Sequence, residues 1–188
     1  MQKNYAKTII RTGLFTASFP DLLQPKEDMQ GNMKYGICML FDKNSKDGID
    51  LKKQCDEEAI KAFGSIYPGL NLPYIDGDVP NRKGNLRPEN KGKWVFKATS
   101  HYQPSVFNTD GSLIINPAEV YPGILATARV IMQSYNTPKA SGTRFSLISV
   151  IKIKDGDKLA GGVEDSVENY GDISELIKQA NKAVLNDI

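Results

Sequence analysis

The sequence predicts a mainly β protein, built as a small five-stranded antiparallel barrel with one main helix and long inserted loops. Three observations support this fold class. There are five segments rich in β-branched and aromatic residues, one amphipathic segment, and no repeated alternation of strands with helices along the 188 residues. A doubly wound parallel sheet requires that alternation, whereas a small barrel requires only strands that can curl and close.

Each predicted strand combines β-branched and aromatic residues with an alternation between two faces. The second strand, MKYGICMLF, is apolar on both faces, which is typical of a central strand. The later strands place apolar residues on one face and cations on the other. The five strands are predicted over residues 8–19, 33–41, 93–102, 124–135 and 144–154.

The segments between these strands carry the helix and the breaks. An amphipathic helix is predicted over residues 48–63, with Gly64 as its C-terminal cap. Pro20 and Pro25 are expected to end the first strand, because proline cannot donate to a ladder of backbone hydrogen bonds. Residues 65–92 contain several prolines and glycines and are predicted to form a long irregular loop, a feature that is uncommon unless it is functional.

The composition excludes several classes of protein. With two cysteines, Cys38 and Cys55, and His101 as the single histidine, the chain lacks the four ligands that a structural zinc site needs. No phosphate-binding glycine motif is present, and we expect no cofactor. No apolar run approaches the length of a membrane span or a signal peptide, so we expect a cytosolic protein.

Charge is distributed unevenly along the chain. Residues 155–188 contain three lysines and eight acidic residues, a net charge of −5, and the whole chain carries +2, so residues 1–154 carry +7. We therefore predict two parts, a basic body over 1–154 and an acidic C-terminal tail over 155–188 with a short amphipathic helix. A basic body attracts polyanions, and an acidic tail either competes with them or is solubilising linker.

The stretch of residues 82–102, RKGNLRPENKGKWVFKATSHY, combines basic and aromatic residues. Single-stranded nucleic acid is bound by such a combination, because cations contact phosphates and flat rings stack on bases of any sequence. The alternative is a solvated loop followed by a core strand. The candidate residues in this stretch are Arg82, Lys83, Arg87, Lys91, Lys93, Trp94, Lys97 and Tyr102.

Two later strands repeat the pattern of cations on one face. Arg129 lies on the fourth predicted strand with Tyr135, and Arg144 and Lys152 lie on the fifth. If the strands curl into one barrel, these residues could converge with Lys93 and Lys97 on a single groove. The rings of Trp94 and Phe96 share a face with Ala98, and they either stack on bases or belong to the core.

Two other functions remain open at this point. Asp76-Gly77-Asp78 resembles a pair of metal-binding carboxylates and would serve a metal-dependent nuclease, or it is simply a turn. A structural β-barrel protein of a virion is the other possibility, and it predicts self-assembly without affinity for oligonucleotides.

Several segments in order carry a resemblance to a known family. The chain resembles the phage single-stranded-DNA-binding proteins with an OB-fold, a family first described as a phage domain of unknown function. The resemblance covers roughly residues 8–170. Its segments are ASFPDLLQPK, KYGICMLFDKNS followed by the helix, LPYIDGD, GKWVFKATS, QPSVFNTDGSLI, EVYPGILATARVIMQSYN and VIKIKDGDKLAGG.

The resemblance implies an OB-fold that binds single-stranded DNA without sequence specificity, in phage DNA replication or recombination and without catalysis. From its charge, the acidic tail is expected to compete with DNA for the basic groove or to recruit replication or recombination proteins. No base-stacking residue is carried over from the family, so the candidate site residues above rest on strand parity.

Overall fold

The computed structural model describes residues 7–28, 30–81, 84–159 and residue 174 of the chain. Within these residues the backbone forms eight strands and the helix α1, and the strands belong to one sheet that curls on itself. The elements in chain order are β1 (Lys7–Arg11), β2 (Phe15–Glu27), β3 (Met33–Asp42), α1 (Lys46–Phe63), β4 (Tyr74–Asp76), β5 (Lys93–Ser100), β6 (Ser105–Phe107), β7 (Leu125–Asn136) and β8 (Ser141–Lys154).

Five of the described strands close into a barrel, in the order β2–β3–β5–β8–β7, with β7 returning to β2. Four of these pairings are antiparallel. The pairing of β5 with β8 is parallel, with Ala98 beside Phe145 and Thr99 beside Ser146. The predicted five-stranded barrel is therefore confirmed, and its ring contains one parallel pairing. The short strands β1, β4 and β6 extend the sheet at the margins of the ring.

Large rings and small side chains alternate in the centre of the barrel. Phe41 packs edge-on against Phe96, with ring centroids 5.5 Å apart, and Phe145 lies 6.3 Å from Phe96 on the other side. Ala98 and Ala126 are also fully buried and leave space for these rings. Phe96 is therefore a core residue and does not stack on bases, which decides between the two alternatives given for its ring.

The helix α1 begins two residues before its predicted start and ends as predicted. Ser45 caps its N-terminus, where the Ser45 hydroxyl accepts a hydrogen bond from the Gly48 backbone N–H at 3.1 Å. Gly64 ends the helix in the left-handed conformation, with φ of 85°, and its N–H donates to the Ile60 carbonyl. Leu51 and Cys55 face the core, so the helix covers one end of the barrel.

The prediction that Pro20 and Pro25 end the first strand is wrong. The predicted strand over 8–19 is interrupted between β1 and β2, and β2 then continues through both prolines to Glu27. The pairing of β2 with β3 shifts between Ser18 and Asp21 and again between Asp21 and Lys26. Because β7 pairs with β2 only at Phe15 and Thr16, the prolines lie where one side of β2 has no partner strand.

The first residues of the predicted tail pack against the body. The Tyr121 hydroxyl donates to Asp155 at 2.9 Å and contacts the Gly156 carbonyl at 3.1 Å. The Leu159 N–H donates to the Pro122 carbonyl at 3.0 Å. Asp155, Gly156 and Leu159 therefore contact the body, on the tail side of the predicted boundary. The amphipathic helix predicted near the C-terminus lies outside the described residues, except for Ser174.

None of the helices in the described part of the chain is long and apolar enough to cross a membrane.

Replacing Phe96 with alanine should destabilise the barrel strongly. The ring of Phe96 is fully buried and contacts Phe41, Tyr74 and Phe145. We expect Phe96→Ala to lower the free energy of unfolding by about 3–5 kcal/mol, measured by urea denaturation. Tyr102, which is 85% exposed, is the matched control, and Tyr102→Ala should change stability by less than about 0.5 kcal/mol. Equal effects of the two changes would contradict the core position of Phe96.

Candidate nucleic-acid interface

A groove crosses the outer face of β2, β3 and β5. Ser18, Cys38 and Lys97 lie side by side on these three strands, because Ser18 pairs with Cys38 and Cys38 pairs with Lys97. The groove has a volume of about 360 Å³. We call it the β3–β5 groove, and it is lined by Ser18, Phe19, Asp21, Lys26, Gly36, Ile37, Cys38, Ile75, Arg87, Asn90, Val95 and Lys97.

Three cations border the β3–β5 groove. Lys26 is paired with Asp21 at 2.8 Å, and Arg87 lies 3.6 Å from Glu89. Lys97 is exposed and forms no ion pair with the described acidic residues. Burial raises the pKa of the Cys38 thiol, while the charges of Lys97 and Arg87 act to lower it. The charge of Asp21, which also lines the groove, acts in the opposite direction.

Phe19 presents an aromatic ring to the groove from a strained backbone position. Its φ of 48° lies in the left-handed region, which bulky residues rarely adopt, and its side chain is 42% exposed. The Arg87 guanidinium lies 4.5 Å from the centre of the ring. A strained, exposed ring beside a cation is typical of a binding site, where surrounding structure holds the unfavourable conformation.

Sequence reasoning missed Phe19, although one signal was present. Phe19 is the last residue of a strongly predicted strand and is followed by Pro20, and a proline inside a strand is typical of a bulge. In the structure the pairing of β2 with β3 shifts at this point, between Ser18 and Asp21. Bulges of this kind redirect side chains near binding sites.

Some residues of the predicted basic stretch line the groove, and others lie beside it. Arg87 and Lys97 line the groove. Lys93 lies at the start of β5 and is bound to Asp42 at 2.5 Å, and Lys91 is exposed in the preceding loop. Arg82 and Lys83 lie outside the described residues.

Arg129 does not converge with Lys97 on one groove, as the sequence had suggested, whereas Arg144 lies beside Lys97 on the neighbouring strand β8. Arg129 points outward from β7, a strand that pairs with neither β3 nor β5. Arg144 points outward from β8 next to Lys97, because Ala98 and Phe145 pair and both face the core, but it does not line the groove, and its guanidinium lies 5.6 Å from the centre of the Tyr135 ring. In a closed barrel the outward directions of strands that are not adjacent diverge, so Arg129 and Lys97 reach different sides of the molecule although they have the same parity in sequence.

Lys152 lies on the opposite side of its strand from the predicted one. Between Leu147 and Ser149 the pairing of β8 with β7 shifts by one residue, and Val150 then faces the core while Ile151 is 37% exposed. The Lys152 side chain is only 10% exposed; it pairs with Asp155 at 2.7 Å, next to the Tyr121 ring. The bulge therefore removes Lys152 from any outer groove.

The predicted stacking residue Trp94 is half-buried at the end of the barrel. Tyr74 packs edge-on against it, with ring centroids 5.6 Å apart. The ammonium groups of Lys43 and Lys52 lie 5.0 and 5.2 Å from the centre of the Trp94 ring. Tyr102 lies beyond the end of β5 and is 85% exposed. Neither ring lines the β3–β5 groove.

The acidic pair Asp76 and Asp78 forms a clamp with Lys43. The Lys43 ammonium binds both carboxylates, at 2.5 Å for Asp78, and Asp78 also accepts from the Gly92 N–H at 2.8 Å. Gly77 between them has no room for a side chain, because a Cβ would lie 2.0 Å from the Asn90 carbonyl oxygen. The clamp attaches the loop that carries Arg87 to the barrel. In the described part of the chain no three acidic, histidine or cysteine side chains are grouped as metal ligands would be.

A comparison with families of known proteins places the chain in one of them. The profile of the family described as Enterobacter phage Enc34, ssDNA-binding protein, matches residues 8–181. The chain belongs to the Enc34 ssDNA-binding protein family. Among individual relatives, protein p50 of Acyrthosiphon pisum secondary endosymbiont phage 1 is 27% identical over 170 residues, which cover 84% of this chain and 89% of p50.

Solved structures agree with the assignment to the Enc34 family. The single-stranded DNA-binding protein from bacteriophage Enc34, in complex with ssDNA, superposes with a TM-score of 0.65 at 25% identity, over 81% of this chain and 89% of that one. The gp2.5 single-stranded DNA-binding protein of bacteriophage T7 shares the fold, with a TM-score of 0.52 at 17% identity over 88% of this chain and all of that one. The predicted family and its fold are thereby confirmed.

The Lys43 clamp predicts how Asp76 and Asp78 titrate. Hydrogen bonds from Lys43 hold the pKa of both carboxyls below the usual range. Because the folded-state values are depressed, the attachment is present at neutral pH and is lost as the pH falls through those lowered values. In Lys43→Met we expect both pKa values to rise toward the ordinary range, measured by carboxyl ¹³C NMR titration. The control is Lys61→Met, which removes an exposed lysine on α1 and should leave both pKa values unchanged. Unchanged pKa values of Asp76 and Asp78 in Lys43→Met would exclude the clamp.

Proposed function

We propose that this member of the Enc34 family binds single-stranded DNA in the β3–β5 groove, without sequence specificity. The observation that carries the proposal is the set of three adjacent strands with Lys97, Arg87 and the strained ring of Phe19 on their outer face. OB-folds bind oligonucleotides on the face of their second and third barrel strands. In the ring of this chain those strands are β3 and β5.

Phosphates and bases have separate partners in the groove. Lys97, Arg87 and Lys26 are placed to contact the phosphate backbone, which supplies a salt-dependent and sequence-independent part of the affinity. Phe19 offers one face for stacking on a base, with Arg87 beside it as a second planar group. Val95 and Ile75 provide an apolar wall that accepts any base.

The turn between β2 and β3 supports one end of the groove, as the corresponding loop does in OB-folds. Asp28 accepts hydrogen bonds from the Gln30 and Asn32 N–H groups at 2.8 and 3.0 Å, and Lys34 binds it at 2.6 Å. The Lys34 ammonium and these N–H groups hold the pKa of Asp28 well below its usual range. The turn is therefore fixed before DNA arrives, which reduces the entropy lost on binding.

We assign the basic loop before β5 to the same interface. It carries Arg87 into the groove, and Lys91 and Lys93 follow near the clamp. Arg82 and Lys83 precede Arg87 in the sequence and add two cations to this loop. Their role would be to hold the backbone of bound DNA over the groove.

The proposed role is in phage DNA replication or recombination, in the cytoplasm of the infected bacterium. The family and the ssDNA-bound Enc34 structure support binding of single strands. The chain would protect or present DNA and would not cleave it. The two carboxylates that a nuclease would use, Asp76 and Asp78, are bound by Lys43.

The acidic residues after Leu159 would regulate the groove. Residues 155–188 carry a net charge of −5 against +7 for the remainder of the chain. We propose that this tail competes with DNA for the basic body and, when DNA is bound, becomes accessible to replication or recombination proteins.

Two substitutions separate stacking from phosphate contact. We expect Phe19→Ala to weaken binding of oligo-dT by about 1–3 kcal/mol, because a stacking surface is lost. Lys97→Gln should instead flatten the dependence of log K on log salt by about 0.7, the value for one phosphate contact on a single strand. Both are measured by fluorescence anisotropy in a salt titration.

The control is Lys61→Gln, which removes an exposed charge in the last turn of α1, at a residue that does not line the groove. Wild-type affinity in both Phe19→Ala and Lys97→Gln would exclude the β3–β5 groove as the site. Failure of the wild-type chain to bind oligo-dT at low salt, or cleavage of the oligonucleotide when Mg²⁺ is added, would exclude the proposed function itself.

Competition by the tail is tested in the full-length chain. We expect Glu164→Gln/Asp165→Asn to tighten oligo-dT binding at low salt by at least about twofold, with the difference disappearing at high salt as the charges are screened. Asp50→Asn/Glu57→Gln, which neutralises two exposed acids on α1, serves as the matched control. Equal tightening in both variants would show a general effect of net charge and no specific competition.

A further inference from the structure

A second basic surface lies on the outer side of β1, β7 and β8. It carries four exposed cations, Lys7, Arg11, Arg129 and Arg144, and we call it the rear face. The outward positions of β7 between them are Ile131 and Gln133, and the β8 residues beside them include Ser146 and Ser149. No acidic residue occurs in β1, β7 or β8.

Two of these arginines are direct neighbours. Arg11 on β1 pairs in register with Arg129 on β7, and both side chains are exposed. Like charges directly opposite each other in an antiparallel pair are destabilising. Neither arginine forms an ion pair with the described acidic residues, so nothing in this part of the chain offsets the repulsion. A negatively charged ligand would therefore be attracted to this pair of arginines, because it would neutralise their charges.

The remaining cations repeat the arrangement farther along the strands. Lys7 and Arg144 flank Gln133 in the register, one on each neighbouring strand. Gln133 is four residues from Arg129, a separation of about 13 Å along a strand. The rear face thus offers two pairs of positive charges in a row, with serine hydroxyls between them that can also donate to phosphates.

The part of the rear face on β1 and β7 lies on a different side of the barrel from the β3–β5 groove. In the ring β2–β3–β5–β8–β7, the strand opposite the seam of β3 and β5 is β7. Outward side chains of β7 therefore point away from the groove. A short oligonucleotide held in the groove therefore leaves Arg11 and Arg129 free, whereas Arg144 lies next to Lys97 at the border of the two surfaces.

The chemistry of the rear face fits a phosphate backbone better than bases. The ring among its outward residues is that of Tyr135, which is partly buried near the end of β7. Strands that carry repeated cations and no acidic residue are suited to contact a backbone, which needs no unstacked base. Duplex DNA and single strands both present such a backbone.

We propose that the rear face is a second DNA-binding surface, which holds the phosphate backbone of a DNA segment other than the one in the β3–β5 groove. One molecule would then connect two DNA segments. The proposal rests on the proposed function only for the DNA segment in the β3–β5 groove. Binding to the rear face can be measured separately, with duplex DNA alone.

The test uses the full-length chain and two DNA probes. The protein is loaded on biotinylated oligo-dT on beads, and retention of a fluorescent blunt-ended duplex is measured. We expect wild-type protein to retain the duplex, and Arg129→Glu to reduce retention about tenfold while its affinity for oligo-dT changes less than about twofold. Lys61→Glu changes the net charge equally on α1 and should behave as wild type.

Arg129→Glu also separates a ligand role from a structural one. The new carboxylate lies opposite Arg11 and replaces a repulsive pair with an attractive one, so the variant should unfold at the same or a higher temperature than wild type. Loss of duplex retention in a fully stable variant cannot arise from misfolding.

Three results would overturn the second surface. They are unchanged duplex retention by Arg129→Glu, an equal loss of oligo-dT affinity in that variant, and competition between oligo-dT and duplex for wild-type protein. Absence of oligo-dT binding by wild type would instead refute the proposed function, and direct anisotropy with duplex alone would still test the rear face.

Discussion

Closure of the ring β2–β3–β5–β8–β7 fixes the direction of every charged side chain on the barrel. The interior is filled by rings such as Phe41, Phe96 and Phe145, so alternate residues of each strand must point outward. Outward directions on opposite strands diverge. Cations that look equivalent in the sequence therefore belong to separate surfaces, with Lys97 at the groove and Arg129 on the rear face.

Local departures from strand regularity then decide which side chains reach these surfaces. At Phe19 the backbone enters the left-handed region, and the ring turns into the groove beside Arg87. At Ile148 an extra residue in β8 reverses the alternation, which exposes Ile151 and leaves Lys152 against Tyr121. Each irregularity costs some regular pairing, and in each case it changes which residue can meet a ligand.

The sequence predicted the barrel, the helix and the family because strand periodicity and segment order are local or cumulative signals. The sequence grouped Lys97 and Arg87 in one basic stretch, and both line the β3–β5 groove because the loop before β5 folds back beside its strand. Phe19 and the position of Lys152 depend on bulges, and a shift of one residue reverses inside and outside without changing composition. The predicted convergence of Arg129 with Lys97 is wrong for another reason. The alternation along a strand shows whether a side chain faces outward, but it does not show toward which side of the barrel that strand faces.

The register of β1 with β7 has a consequence for the order in which the molecule assembles. The groove is built from β2, β3 and β5, all within residues 15–100, whereas the rear face needs Arg11 to meet Arg129, far apart in the chain. Contacts of large sequence separation close late and slowly, because a long loop must first be ordered. During synthesis the groove strands emerge first, and the rear face comes into existence only when β7 has been made and docked.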